Sequence, residues 1–436
     1  MGLTALVAVA TLLIVRSPAE QQRPDRPNIV LFITDDEALG SIEVMPNLRS
    51  WLVEDGRSFE PGLVTTPMCC PSRASIFSGS YIHNHGVLRN GDTLKLNSDS
   101  TVQRYLSDAG YRTGIVGKYL NEWPKARRPP HFDYSAVSHG APYEGGTWTV
   151  NGEVEEISTY STEFIGEHVT KFLESSDEPW FLVISTTAPH SPAVPEPRYV
   201  GAEVPSPQDN PALADLDRSD KLPLEARNSF QSGRRFRVSQ LRTMMSVDDL
   251  IGDVDDALQE RGEKEETLAF YISDNGLLRG EHGLTGKGHP LRPAVEVPFY
   301  MVWPQAVEPG RDDRLAANID IAPTILDAAR LSADDEFPMD GRSLLDDWRR
   351  SEILLEYQRS GNLASPSWAS IRSRDIQYIE YYDVTGEVMF RELYDLIRDE
   401  WQLTNLLEIE RDTGIDVTAL RDRLQSYRRC SGRDCP

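Results

Sequence analysis

Cysteine is scarce in this chain: four residues in 436, with no CxxC pair. That excludes a dithiol redox module of the usual design. Two of the four, Cys69 and Cys70, are adjacent, and neighbours in sequence rarely reach disulfide geometry. No Asn-x-Ser/Thr acceptor occurs anywhere, which argues against passage through a glycosylating secretory route. Positive charge is short as well. Lys and Arg total 45 against 69 Asp and Glu, a formal net charge of −24. Nucleic acid and anionic membrane surfaces reward a basic protein, so neither is expected as a partner. No internal repeat is visible.

Long apolar runs are missing after residue 15, so no membrane span is expected in the mature protein. The one such run, Leu3 to Val15, has the length of a signal-peptide core and is too short to cross a bilayer. Ser17, Pro18 and Ala19 supply small residues for cleavage, so residues 1–20 read as an export signal. The expected location is periplasmic or extracellular. Export to an oxidising compartment allows Cys430 and Cys435 of "CSGRDCP" to close a small loop. With no glycosylation site, a bacterial source is favoured. At 39% hydrophobic and 26% charged residues, the rest is an ordinary globular composition with material for a large core.

What is present is a series of short apolar runs that end in polar groups. "PNIVLFITDD" stops at Asp35 and Asp36, "YRTGIVGKY" at Lys118, "WFLVISTTAPH" at His190, and "TLAFYISDNG" at Asp274 and Asn275. "VPFYMVW" is a further run of this kind. Such runs read as strands buried on both faces of a sheet. Helical patterns lie between them in "TVQRYLSDAG", "STEFIGEHVTKFLESS" and "SQLRTMMSVDDLIGDVDDALQERG". The expected fold is α/β, a large mainly parallel sheet sandwiched by helices over residues 26–345. Residues 189–227, rich in Pro, Asp and Ala, read as a long surface loop. From about residue 346 to 436 the runs alternate and become aromatic, as in "WASIRSRDIQYIEYYDVTGEVMFRELYDL". That predicts a smaller α+β domain with an antiparallel meander and a last helix near 413–427.

Ligands bind beyond the carboxyl ends of strands in open parallel sheets. Asp35, Asp36, Asp274 and Asn275 are oxygen donors at that edge, which suits a hard cation, Ca²⁺ or Mg²⁺, better than zinc. "DD" and "DNG" are also ordinary turn formers. In "TTPMCCPSRASIFSG", Pro71 suits a first helical position, placing Cys69 just before a helix N-terminus where anions are favoured. An unmodified Cys69 there would be a low-pKa thiol, or else a buried structural one. Arg73, one turn on, can brace it.

The motif Cys69-Cys70-Pro71-Ser72-Arg73, continuing to Gly79, resembles the signature of the type I sulfatases of the alkaline phosphatase superfamily. Further blocks resemble the family in order, among them "GKYLNEW", "TTAPHSP", "SDNG", "LTGKGHP" and "ELYDL", so the likeness runs from Arg26 to Leu406. It is nearest in look to the N-acetylglucosamine-6-sulfatase and heparan-sulfatase branch and its bacterial relatives. The resemblance implies that Cys69 is oxidised to Cα-formylglycine by a formylglycine-generating enzyme. It implies one Ca²⁺ on Asp35, Asp36, Asp274, Asn275 and residue 69. One hydroxyl of the hydrated aldehyde then attacks sulfur, and the second lets the sulfate leave as the aldehyde re-forms. By the same likeness Lys118 and Lys287 hold the sulfate, Arg73 braces residue 69, and His190 protonates the leaving oxygen.

The chain departs from the pattern in places. Leu120 stands where many relatives have histidine, and Asn121 beside it is expected to touch substrate. Leu291 and Arg292 replace a Tyr-Glu pair. His289 is a further substrate-binding candidate, as is His85 of "YIHNHGV", which reads equally as structural. Arg234, Arg235 and Arg237 form a run that suits a sulfated or carboxylated sugar, or a solvated face. The substrate class implied is a sulfated sugar or glycosaminoglycan fragment. Two alternatives are a phosphonate or phosphodiester hydrolase and a non-catalytic glycan binder with Cys69 unmodified.

Overall fold

The structure, a computed structural model, describes residues 26–176, 179–207, 209–215, 217–224, 230–359, 365–409 and 414–436. The export segment expected at 1–20 lies outside the described residues. Among those described, no helix is long and apolar enough to cross a membrane.

Ten strands form the main sheet: β1 (Asn28–Thr34), β2 (Arg57–Phe59), β3 (Arg112–Gly117), β4 (Tyr134–Ser138), β5 (Glu144–Val150), β6 (Glu153–Tyr160), β7 (Trp180–Ser185), β8 (Thr267–Ser273), β9 (Phe299–Val302) and β10 (Gly310–Asp312). Their order is β10-β2-β9-β8-β1-β7-β3-β4-β5-β6. The central run from β8 to β4 is parallel throughout. The margins are mixed: β9, the "VPFYMVW" run, opposes β8, and β5 and β6 form a hairpin against β4. Antiparallel neighbours need no helical crossover, which is why the helix-strand alternation of the sequence fades there.

Helices α1 (Cys69–Ser78), α2 (Val102–Asp108), α3 (Ser161–Glu174), α4 (Phe230–Arg261) and α5 (Ile321–Ala328) cover the sheet. Successive strand side chains face opposite sides. In β1, Ile29, Leu31 and Ile33 therefore join one core with Phe77 of α1, Leu106 of α2 and Ile325 of α5. Val30 and Phe32 join the other with Phe164 and Phe172 of α3 and Ile251 of α4. Each such fully buried side chain contributes about 1.5–3 kcal/mol. The stretch expected as a loop over 189–227 carries only two short turns of helix, Pro197–Tyr199 and Pro211–Ala214, and part of it lies outside the described residues.

The expected meander is present as β11 (Glu352–Tyr357), β12 (Ser367–Ser373), β13 (Ile376–Tyr382) and β14 (Val388–Asp395), each antiparallel to the next. Helix α6 (Val417–Tyr427) packs on it through Leu420 and Leu424, and Cys430 and Cys435 are joined by a disulfide. This sheet grips the main body at one loop. Trp368 Nε1 donates to Gly288 O at 2.8 Å, and Gln377 Nε2 donates to Pro290 O at 2.8 Å. Gly288 has φ +82° and a Cβ there would lie 2.9 Å from the Tyr357 ring, so only glycine fits.

A second tie is His83. Its Nδ1 meets Glu356 Oε1 at 2.7 Å and its Nε2 meets Cys430 O at 3.1 Å. Carboxylate and carbonyl only accept, so the ring donates from both nitrogens and is an imidazolium. Burial opposes that charge, but the Glu356 carboxylate raises the His83 pKa above its usual value. A raised folded pKa gives stability that is complete below about pH 6.5 and is lost as pH rises through the folded value. His83→Gln is expected to cost about 1–2 kcal/mol at pH 6, with the deficit shrinking at higher pH in denaturant titrations. A pH-independent deficit would exclude the charged pair.

Candidate active site

Four neighbouring parallel strands, β8, β1, β7 and β3, end at one edge of the sheet. Asp274 and Asn275 follow β8, Asp35 and Asp36 follow β1, Lys118 follows β3, and His190 lies five residues beyond β7. The expectation from the four polar strand ends thus holds at the level of topology. Cys69 arrives from above as the first residue of α1, with Met68 extended before it. Pro71 is the third helical residue rather than the first, a position that still needs no N–H.

The donors converge. One ligand atom from each of Asp35, Asp36, Cys69 and Asp274 lies within 4.8 Å of all the others, and all four residues are buried. The Cys69 thiol donates to Asp35 Oδ1 at 3.3 Å. Lys287 Nζ lies 2.6 Å from Cys69 Sγ and is paired with Asp36. Lys118 Nζ reaches Asp35 Oδ2 at 2.6 Å and Asp274 Oδ2 at 3.8 Å. Arg73, fully buried, donates from Nε to Asp274 Oδ2 at 2.7 Å, and from Nη1 to Lys118 O at 2.8 Å and Ser185 Oγ at 2.6 Å. Asp36 adopts φ 64°, a left-handed conformation that aspartate tolerates, and its amide donates to Asp274 Oδ1 at 3.2 Å. Asn275 Nδ2 donates to Asp36 Oδ1 at 2.7 Å, while its Oδ1 is buried with no hydrogen-bond donor.

Three carboxylates face Lys118, Lys287 and Arg73, so the cluster is formally balanced. Burial alone would raise the Asp35 pKa, but Lys118, His190 and Lys287 outweigh it and hold the carboxyl at about 2. Asp36 is likewise low: burial opposes ionisation and Lys287 overcomes it. Burial pulls both lysines down, and the carboxylates more than reverse this, so both stay charged. Cys69 behaves oppositely to the sequence expectation of a low-pKa thiol. Burial first, and then Asp274 and Asp35, raise it by more than Lys118 and Lys287 lower it. A bare thiol here is a poor nucleophile at neutral pH. Cys70 points into the core, with Sγ 3.1 Å from Thr93 Oγ1, and is structural.

His190 Nδ1 lies 2.6 Å from Ser191 O, which fixes the proton on that nitrogen. Nε2 is left 3.6 Å from Asp36 Oδ2. Lys118 and His190 also border a cleft of about 440 Å³ lined by Asn121, Trp123, Lys125 and His139. Asn121 lines this cleft, with its Oδ1 buried and unpartnered. His85 is differently used: Val87 N donates to its Nδ1 at 3.1 Å, and Nε2 meets Ser75 Oγ at 3.0 Å. Burial lowers its pKa to about 3, and neither bond reaches the cluster. His289 is buried, with its pKa lowered by burial to about 4. Helical phase divides the arginine run: Arg234 and Arg237, three residues apart, line one cleft and Arg235 does not. Arg237 is buried, Arg234 pairs with Asp209, and Arg235 faces solvent. Sequence reasoning missed Ser185 and His139, which carry no motif. Only the neighbourhood of a strand end marks them.

A model of the sulfatase family matches residues 27–331. The chain belongs to the sulfatase family. A second model, the C-terminal region of N-sulphoglucosamine sulphohydrolase, matches residues 280–429 of this sulfatase. It is similar to the human N-acetylglucosamine-6-sulfatase, at 31% identity over 94% of this chain and 86% of that protein. In fold it is similar to a solved structure in complex with its substrate D-glucosamine-2-N,6-O-disulfate, with TM-score 0.79 and 22% identity over 92% of this chain and 97% of the other. It is also similar to the phosphonate monoester hydrolase of Agrobacterium radiobacter, with TM-score 0.68 and 20% identity over 92% and 95%. The enzyme is thus a sulfuric ester hydrolase.

Proposed function

We propose that this sulfatase removes a sulfate ester from an amino sugar or glycosaminoglycan fragment, using Cys69 matured to formylglycine and one Ca²⁺. The observation that carries this is the convergence of Cys69 on three buried carboxylates and three fixed cations. The donor set fits the metal: three carboxylates, and in Asn275 Oδ1 a buried acceptor with no donor, are what a hard cation binds. Asp35, Asp36, Asp274, Asn275 and residue 69 would hold it, and when bound it neutralises charge on the sulfuryl oxygens. A formylglycine at 69 supplies a hydroxyl to attack sulfur and a second to release it, which the raised thiol of Cys69 does not offer.

The other roles follow from position. Lys118 and Lys287 hold the equatorial oxygens of the sulfate, and Arg73 orients Asp274 and the Lys118 carbonyl. His190, with Nδ1 occupied, presents Nε2 to the leaving oxygen. The sugar enters the cleft beyond it and meets Asn121. His289, expected as a substrate contact, is buried against the Thr285 backbone and remains a candidate only. His85 bonds Ser75 of α1 and is read as structural. The name of the human relative supports an amino-sugar substrate. We further propose export from a bacterial cell, with a formylglycine-generating enzyme acting during maturation.

Peptide mass spectrometry across Cys69, together with turnover of a panel of sulfated saccharides, tests the reading. An intact thiol in active protein would sink it. The cation set would also serve a phosphonate or phosphodiester. Matched aryl sulfate, phosphate and phosphonate esters separate that reading. Chelation is expected to lower turnover by about 100-fold or more and to lower the melting temperature, with Ca²⁺ restoring both better than Mg²⁺.

A further inference from the structure

A second cleft, of about 330 Å³, lies along the loops that follow the two acid-bearing strands. Leu39 and Gly40 line one part of it, Arg234 and Arg237 on α4 another, and Arg279 and Trp401 are among the rest. Leu39 is three residues past Asp36, so their Cα atoms are at most about 11 Å apart. None of the cleft's residues belongs to the cluster described above.

Its two inner arginines make no direct ion pair among the described residues, although Glu37, Glu43 and Glu281 act on Arg237, and Glu281 on Arg279, from beyond contact. Arg237 is 6% exposed and donates to neutral groups only: from Nη1 to Ser41 Oγ and from Nη2 to Leu39 O, each at 3.1 Å. Arg279 Nη1 is buried with no acceptor at all. Among the described residues neither guanidinium makes an ion pair. The carboxylates of the cleft do not reach either guanidinium as a direct ion pair. Asp209 pairs with Arg234, and Glu281 accepts from the Arg279 amide at 2.6 Å and from Asn210 Nδ2 at 3.3 Å. Glu43, at the mouth, is exposed. Burial, and then repulsion from Arg279, lowers the Arg237 pKa to about 9, so the two charges feel one another. The nearby carboxylates offset the burial cost of Arg237 only in part, and a buried charge without a contact partner gains when one arrives to pair it. Guanidinium forks match the oxygens of sulfate and carboxylate.

We propose that this cleft is a second anion site, holding a sulfate or carboxylate on a neighbouring sugar of the chain whose ester is cleaved at Cys69. The inference rests on the sulfated-sugar reading and deepens it: the preferred substrate is an oligosaccharide with at least two anionic groups, not a lone monosulfated sugar. Arg279 and Arg237 set this preference without touching the reacting sulfate.

Arg279→Gln is the test, because Arg279 Nη1 makes no bond whose loss would harm the fold. Its kcat/KM is expected to stay within about twofold of the parent on an aryl sulfate and a monosulfated glucosamine. On a sulfated tetrasaccharide carrying uronate it is expected to fall by about 10–100-fold, in KM rather than kcat. Arg279→Lys should recover part of the loss. Equal losses on all three substrates, or no loss on the tetrasaccharide, overturn the proposal. So does a variant that loses only an effect of added inorganic sulfate or phosphate, since the cleft would then serve a free anion. Calorimetric titration of the tetrasaccharide into Cys69→Ala, with and without Arg279→Gln, separates the two readings. It reports the cleft even if no sulfate ester is turned over. A Kd unchanged by Arg279→Gln in that titration overturns the proposal too.

Discussion

Cys69→Ala is expected to abolish sulfate release, by at least about 1,000-fold, while leaving the fold intact. The side chain is 1% exposed and contacts three charged groups, so the loss is chemical rather than structural. Removing one buried sulfur costs about 1–2 kcal/mol, small beside the stability of a large α/β core. Aryl sulfate turnover and a denaturant titration on the same preparation check both halves. Cys69→Ser sharpens the result. A plain alcohol has no second hydroxyl, so it is expected to release at most one alcohol per site and stop as a stable sulfate adduct. Steady turnover in the alanine variant would remove residue 69 from the chemistry.

Arg73→Ala is expected to act on both stability and rate. Arg73 is fully buried and makes three hydrogen bonds that join Asp274, the Lys118 carbonyl and Ser185. Without it, the Asp274 carboxylate keeps the Asp36 amide but loses its contact cation, with Lys118 left at 3.8 Å. Breaking a buried pair in this way costs about 3–5 kcal/mol. Turnover should fall by about 100-fold or more, because Asp274 and Lys118 lose their common brace. Arg73→Lys keeps the charge but cannot span three acceptors with one planar fork, so it should recover stability more than rate. A midpoint and kcat/KM both equal to the parent's would show that the brace is dispensable.

The site was legible wherever chemistry sits at the end of a regular element. Asp35, Asp36, Lys118, Asp274 and Asn275 end apolar runs with no helical period, and strand ends in parallel sheets gather at one edge. His190 ends such a run too, and Pro71 marked Cys69 and Arg73 as a helix start. Their catalytic roles, and Lys287 altogether, were legible only through resemblance to a family, since no spacing rule links 69 to 287. The mixed margins of the sheet were hidden because strand direction depends on the partner and not on the run itself. The tie made by His83 was hidden because its partners Glu356 and Cys430 are 273 and 347 positions away. The arginine run was legible only in part. A helix sends successive residues to different faces, so Arg237 went inward to meet Arg279 while Arg235 went to solvent.

The grip of Trp368 and Gln377 on the residues just after Lys287 has an implication for synthesis. A ribosome delivers every acid, both lysines and the residue-69 helix before it delivers the strands that clamp the loop. A nascent chain halted near position 345 would own the full set of reacting groups yet leave one lysine on an unanchored tether. Hydrolytic competence would then switch on only when the carboxyl-terminal quarter docks, so prematurely terminated products should be inert despite carrying every reactive residue.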